Sequence, residues 1–188
     1  MKLKLLAPEP LPTSGDFGVL AEFASPADLL HACERVRDAG YTRWDAHTPF
    51  PVHGLDGAMG MKRSRLPWII LVMGLTGAAT GFSLQYWVHS FAYPLVISGK
   101  PFFAWPAYVP ITFELGVLFG ALGAVFGMFA LNRLPMHYHP LFHSSRFERV
   151  TDDAFFISIE TRDPKFESAA TRRMLEELGA RNVETVGV

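Results

Sequence analysis

The chain has 188 residues, and its 17 basic and 18 acidic residues leave a formal net charge of −1. This near-neutral balance gives no indication of nucleic-acid binding. Because Cys33 is the only cysteine, an internal disulfide, a cysteine-ligated iron–sulfur cluster and a CxxCH haem attachment are excluded within the chain. The N-terminal lead, residues 1–14, has an apolar run too short for a secretory signal, so we expect a later segment to direct any membrane insertion.

Residues 15–47 have the pattern of a first β-α-β half. Phe17–Phe23 is a short apolar run typical of a strand. Ser25 is a suitable N-cap for the helix that follows, and Pro26 is well suited to the first helical position. Gly40 is predicted to end this helix. Tyr41–His47 is predicted to form the second strand.

Two apolar runs follow a linker at residues 48–65, which is rich in Pro and Gly in its first part. Leu66–Val88 contains no charged residue, and Val109–Leu131 contains one, Glu114. Each run has about 23 residues, or roughly 34 Å as a helix, which is enough to cross a hydrocarbon core of about 30 Å. The two runs, residues 66–88 and 109–131, are therefore predicted to form a transmembrane hairpin joined by the connector 89–108.

The positive charges around the hairpin predict its orientation. Basic residues precede the first helix and follow the second, whereas the connector has a single lysine. By the positive-inside rule both termini are expected in the cytoplasm and the connector outside. The basic residues concerned are Lys62, Arg63 and Arg65 before the hairpin, Lys100 in the connector, and Arg133, Arg146 and Arg149 after it.

Beyond a linker at residues 132–150, residues 151–188 have the pattern of a second β-α-β half. Ala154–Glu160 is predicted to be a strand, and Asp163 with Pro164 is predicted to begin a helix that Gly179 ends; Val183–Val188 is the last strand. Each half is too small to bury a stable core alone. We therefore predict an α+β ferredoxin-like cytoplasmic domain, β-α-β plus β-α-β, split by the inserted two-helix hairpin. The alternative is that each half packs separately on a partner subunit.

Rows of small residues along both apolar runs predict close helix packing, because helices in lipid associate through close backbone approach. One face could seal the hairpin and leave the other for a neighbour. The glycines concerned are Gly74, Gly77 and Gly81 in the first run, and Gly116, Gly120, Gly123 and Gly127 in the second.

Glu114 is the one acidic residue in the predicted hydrocarbon region, which makes it a candidate for a proton path or a partner contact. The alternative is structural. Glu114 follows Pro110 by only four residues, so it could lie in the first turn, where the helix dipole favours a carboxylate and Thr112 assists capping.

The histidines have no recognised ligand spacing. His47 and His53 flank the first linker, and His137, His139 and His143 follow the hairpin; no carboxylate or cysteine stands beside them in a metal-binding pattern. We expect surface or interface histidines and no metal site. The sequence also contains no pattern for a nucleophile with its base, a phosphate-binding loop or a dinucleotide site, so we predict no catalytic residue.

Three segments together suggest a family. YPLVISGKPFFAWPAYVPITFELGVLFGALGAVFGMFALNRLP at Tyr93–Pro135 resembles the membrane hairpin of the D subunit of bacterial alternative complex III. DAHTPFPVHGLDGAMGMKRSRLPW at Asp45–Trp68 is similar to the family's entry to the membrane, and MHYHPLF at Met136–Phe142 to its exit. The two β-α-β flanks match in pattern only.

The resemblance implies a two-helix subunit without redox centres in a quinol:electron-acceptor oxidoreductase of the bacterial inner membrane. It implies polytopic quinol-binding subunits, an iron–sulfur subunit and multi-haem cytochrome c subunits as partners, which would hold the quinol, the iron–sulfur clusters and the haem c groups. The leading hypothesis is thus an accessory subunit that packs on a larger membrane protein. The alternative hypothesis is a small membrane sensor whose ferredoxin-like cytoplasmic domain binds a ligand.

Overall fold

A computed structural model describes residues 15–188, and the predicted N-terminal lead lies outside the described residues. The chain divides into two compact units. One, here called the helix unit, comprises residues 63–136. The other, here called the sheet unit, combines residues 15–62 with residues 137–188.

The sheet unit contains the four predicted strands in one antiparallel sheet of order β2-β3-β1-β4. Ala21 of β1 pairs with Ile157 of β3 on one side and with Val183 of β4 on the other. Neighbouring strands of the sheet therefore come from distant parts of the sequence. The strands thus come from both halves of the chain, which rules out the alternative of two separately packed halves. The strand bounds are β1 Asp16–Phe23, β2 Trp44–His47, β3 Phe155–Glu160 and β4 Asn182–Gly187.

Two amphipathic helices supply the apolar side chains that cover one face of the sheet. Helix α1, Pro26–Asp38, begins as predicted, because the hydroxyl of Ser25 accepts a hydrogen bond from the backbone N–H of Asp28. Leu29 of α1 is fully buried with Ile157 of β3 and Leu175 of the last helix, α5 (Ser168–Glu177). These side chains form the main core of the sheet unit.

Asp163 does not cap α5, contrary to the prediction. The helix begins at Ser168, five residues later, and the Asp163 carboxylate instead accepts hydrogen bonds from the backbone N–H groups of Thr42 (2.6 Å), Arg43 (2.7 Å) and Lys165 (2.8 Å). This side chain ties the start of β2 to the loop after β3. It also accounts for the late start of β2 at Trp44, because the two preceding N–H groups are bonded to the carboxylate rather than to a strand.

The segment after the second apolar helix covers the other face of the sheet, although the sequence indicated only a polar linker there. Two 3-10 turns, Pro140–His143 and Ser145–Thr151, bury Leu141 and Phe147 against Phe156 of β3. In the first linker, a short helix α2, Leu55–Ala58, was also missed.

The helix unit consists mainly of two antiparallel helices. Helix α3, Leu66–Trp87, continues into one wider turn at Val88–Ala92, and helix α4, Val109–Asn132, follows a 3-10 turn at Trp105–Tyr108. Both helices are long and apolar enough to cross a membrane. Their bounds agree closely with the two predicted runs.

Candidate functional site

Four of the seven glycines lie where the facing helix leaves too little room for a Cβ atom. A Cβ atom added at Gly77 would overlap the carbonyl oxygen of Leu115 and lie 2.7 Å from the Cβ of Phe119. A Cβ atom at Gly81 would lie 3.1 Å from the carbonyl oxygen of Ile111. Larger side chains at these positions would push the helices apart, because the backbone of α4 occupies the space. Gly123 and Gly127 have equally close neighbours, on Met73 and on Leu66 and Ile69 respectively.

The other three glycines have room for a Cβ atom. A Cβ atom at Gly74 or Gly116 would have its nearest neighbour at 3.5 Å, and one at Gly120 at 3.9 Å, which are ordinary van der Waals distances. These three glycines lie in an apolar groove of about 850 Å³ along one side of the helix pair. The groove is also lined by Ile70, Leu71, Leu75, Ala78, Phe82, Trp105, Val109, Thr112, Phe113, Val117, Ala121 and Ala124.

A buried amide holds the helices together at the connector end. The side-chain N–H₂ of Gln85 donates to the carbonyl oxygens of Gly81 (3.1 Å) and Tyr108 (3.0 Å), so one side chain bridges α3 and the start of α4. Tyr108 is fully buried, and its hydroxyl donates to the carbonyl oxygen of Phe102 at 2.9 Å. This bridge was not predicted, although the sequence has one signal for it, a single amide side chain in an otherwise largely apolar run.

Glu114 does not lie in the first turn of α4, the position that the structural alternative requires. It is the sixth residue of α4, so the first turn of the helix contains no acidic residue, and no side chain caps the helix at Tyr108. Thr112, the proposed capping residue, has a buried hydroxyl without a hydrogen-bond partner among the described residues. The carboxylate of Glu114 is exposed, and within residues 15–188 it makes no hydrogen bond or ion pair.

Two of the five candidate histidines share a polar cavity of about 280 Å³ in the sheet unit. His47 of β2 forms a 3.0 Å hydrogen bond with the hydroxyl of Ser158, and His139 packs edge-on against Phe17. Burial lowers the pKa of His47, and the negative charge of Asp45 opposes this shift only in part. The pKa of His139 is lowered for the same reasons. The cavity is completed by Thr42, Arg43, Trp44 and Glu160.

The remaining three histidines do not join that cavity. His53 and His137 are exposed, and His143 contacts the hydroxyl of Tyr138 at 2.8 Å. Within residues 15–188, no three His, Cys, Asp or Glu side chains gather in an arrangement that could hold a metal ion.

The fold and the helix pair define a class of small proteins in which two long apolar helices interrupt an antiparallel α+β unit between its second and third strands. A family model described as "Alternative complex III, ActD subunit" matches residues 17–185, which include both apolar helices and almost the whole sheet. The chain therefore belongs to the ActD family of alternative complex III subunits, and the family resemblance found in the sequence is confirmed. No curated protein matches the chain.

Proposed function

We propose that this chain is a non-catalytic, cofactor-free accessory subunit that packs its helix unit against a larger membrane subunit of alternative complex III and supports assembly of the complex. The groove beside Gly74, Gly116 and Gly120 is the observation that carries this proposal. Its walls are apolar and its floor consists of small residues, so the backbone of another helix could approach closely there.

The exposure of the helix unit supports the same function. Side chains such as Leu75, Val117 and Phe126 remain more than half exposed, although they are large and apolar. Lipid can cover part of such a surface, and a neighbouring helix can cover the rest. The two helices would cross the bacterial inner membrane, with both termini in the cytoplasm as the distribution of basic residues predicts.

We describe the sheet unit as a ferredoxin-like domain on the cytoplasmic side. The strand order β2-β3-β1-β4, with every neighbouring pair antiparallel, supports this description, as does the sequence of elements β1-α1-β2 and β3-α5-β4. The expected partners are polytopic quinol-binding subunits, an iron–sulfur subunit and multi-haem cytochrome c subunits. Quinol, iron–sulfur clusters and haem c would be bound by those subunits, and none by this chain.

Filling the groove tests the proposal. In Gly120→Leu, a leucine side chain would enter the groove without a close overlap with α3, since the nearest atoms to the new Cβ are 3.9 Å away on the Ile70 side chain and 4.0 Å away at the Gly74 Cα. We expect the tagged variant to insert into membranes normally but to recover at least tenfold less haem and iron–sulfur protein after extraction in a mild detergent. Ala79→Leu is the matched control, because Ala79 is exposed on α3 outside the groove.

The outcome that overturns the accessory-subunit proposal is a wild-type chain that is extracted alone from membranes containing the other subunits. Equal recovery of the complex with Gly120→Leu and with Ala79→Leu would instead show that the groove is not the contact surface.

The polar cavity of the sheet unit favours a second function, a membrane sensor with a ligand-binding ferredoxin-like domain. Asp45, His47, His139 and Glu160 place several titratable groups around one small space. Ser158→Leu would fill this space. If the chain is an accessory subunit, the Ser158→Leu variant should still assemble and the complex should transfer electrons at an unchanged rate. If the chain is a sensor, the variant should also assemble, but the activity of the complex should no longer respond to the ligand.

A further inference from the structure

Glu114 lies deep within the apolar part of α4. The helical stretch runs from Trp105 to Asn132, and Glu114 is about 15 Å from its beginning and about 27 Å from its end along the axis. Trp105 is 58% exposed and is suited to the membrane–water interface. The carboxylate is therefore two to three turns inside the anchoring tryptophan, in a region where an unpaired charge is expensive.

Residues 15–188 offer no donor to this carboxylate. Glu114 lies beyond the first turn of α4, where backbone N–H groups already donate within the helix. No described side chain donates to it. The basic residues of the helix unit all lie outside α3 and α4 in the sequence: Arg63 and Arg65, Lys100 in the connector, and Arg133.

Glu114 also faces away from α3. The α4 residues that contact the glycines of α3 include Gly116 and Phe119, which lie on a different side of the helix from Glu114, whereas Leu118, one turn beyond Glu114 on its own side, is about half exposed. Phe113, next to Glu114, is 72% exposed. A carboxylate thus stands in a surface of large apolar side chains that nothing in the helix unit covers.

We propose that this face of α4 docks a transmembrane helix of a neighbouring subunit, and that this helix presents an arginine, lysine or histidine to Glu114. The inference rests on the proposed function, and it selects partner contact rather than proton transfer from the two roles that the sequence predicted. Charge complementarity identifies the occupant. A single carboxylate in an apolar surface is stabilised by a cationic hydrogen-bond donor. The attraction between the two charges becomes stronger as water is excluded. The apolar neighbours of Glu114 fit the rest of such a helix.

The test uses the whole complex with Glu114→Leu. This substitution leaves the partner's cation unpaired in an apolar interface, so we expect the fraction of complexes that retain the subunit in mild detergent to fall at least tenfold. Glu114→Gln should lose less, because an amide oxygen can still accept a hydrogen bond. Leu118→Ala, on the same face, is the control for lost apolar contact and should have the smaller effect.

A photoreactive amino acid at Leu118, which is exposed on the same side as Glu114 and does not line the groove, identifies the occupant. We expect a protein adduct whose crosslinked segment is a transmembrane helix with a basic residue, and replacing that basic residue by leucine should restore retention of Glu114→Leu. Adducts to lipid alone, or equal retention of Glu114→Leu and wild type, would overturn the proposal. Normal retention of Glu114→Gln together with lost proton release would also overturn it, in favour of proton transfer. In each of these cases the wild-type chain would still co-purify, so the accessory-subunit proposal would stand.

Discussion

The sheet unit and the helix unit differ in how far their own residues bury their apolar side chains and provide hydrogen-bond partners for their polar ones. In the sheet unit, Leu29, Ile157 and Leu175 have no exposed surface, and even the buried carboxylate of Asp163 accepts several hydrogen bonds. In the helix unit, few residues of the two apolar helices are buried: Gly77, Gly81 and Gln85 of α3, and Gly123 and Gly127 of α4. The sheet unit is thus stabilised mostly by its own core. The helix unit leaves its apolar surface and Glu114 exposed, so other molecules must cover them.

The largest effect is expected from breaking the core of the sheet unit. Leu29→Ala should lower the free energy of unfolding of the sheet by about 2–5 kcal/mol, because the side chain is fully buried and leaves a cavity. Hydrogen exchange of the β1 and β3 amides, in the full chain in detergent, measures this loss. His31→Ala, at an exposed position of α1, should change the same amides little. Equal losses in the two variants would contradict the assignment of the core.

An intermediate effect is expected at Asp163, which joins the two halves of the sheet unit. Asp163→Ala should lower the free energy of unfolding by about 2–3 kcal/mol, because three part-buried backbone N–H groups lose a charged acceptor. The exposed Asp152→Ala is the control and should be nearly neutral. The exchange rates of the β2 and β3 amides report the difference.

The same carboxylate predicts a pH dependence. Burial raises the pKa of Asp163, but the hydrogen bonds from the backbone N–H groups of Thr42, Lys165 and Arg43 outweigh it, so the pKa lies below its ordinary value of 3.8. Its stabilising contribution is therefore present above pH 3.8 and is lost as the pH falls through the folded-state pKa. The difference between wild type and Asp163→Ala should shrink under those acidic conditions. A difference that stays constant would exclude a charged Asp163 as its source.

The smallest effect is expected within the helix pair. Gly77→Ala should weaken the contact of α3 with α4 by about 1–3 kcal/mol, because the new methyl group overlaps the backbone of Leu115. Gly116→Ala, where the nearest atom is 3.5 Å from the new Cβ, is the matched control. Titration with SDS, followed by energy transfer between dyes on engineered cysteines at the helix ends, measures the contact.

Native Cys33 should not interfere with that labelling. Burial, with smaller contributions from the charges of Asp45 and Glu34, raises the pKa of its thiol to about 12, so the reactive thiolate is scarce at neutral pH. If α3 and α4 separate at the same SDS fraction in Gly77→Ala and in Gly116→Ala, the close-contact role of Gly77 is contradicted.

Local sequence signals predicted the regular elements well, since short-range physics decides them. Ser25 caps α1 through a hydrogen bond that spans three residues, and the short apolar runs of β1 and β3 indicate strands whatever the rest of the chain does. The failures involve contacts between distant residues. Asp163 has the spacing of an N-cap, yet its hydrogen bonds go to Thr42 and Arg43, more than a hundred residues earlier.

The candidate site divides in the same way. The glycine rows were visible in the sequence, but whether Gly77 meets a backbone and Gly120 lines an open groove depends on how α3 and α4 are rotated against each other. The pairing of His47 with His139 in one cavity likewise depends on a chain segment folding back over the sheet. The sequence of this segment has no periodicity that would predict such packing, because its 3-10 turns are too short to produce a repeating apolar face.

The sequence by itself determined that this protein has two long apolar helices between two β-α-β halves, because hydrophobic runs and turn residues act over a few neighbours along the chain. It also carried the family resemblance. Only the tertiary structure decided that both halves share one sheet, that Asp163 joins them, and that Glu114 faces away from α3 without a donor among the described residues. Those features depend on which distant backbone and side-chain groups come within hydrogen-bonding or van der Waals distance, and packing alone brings them together.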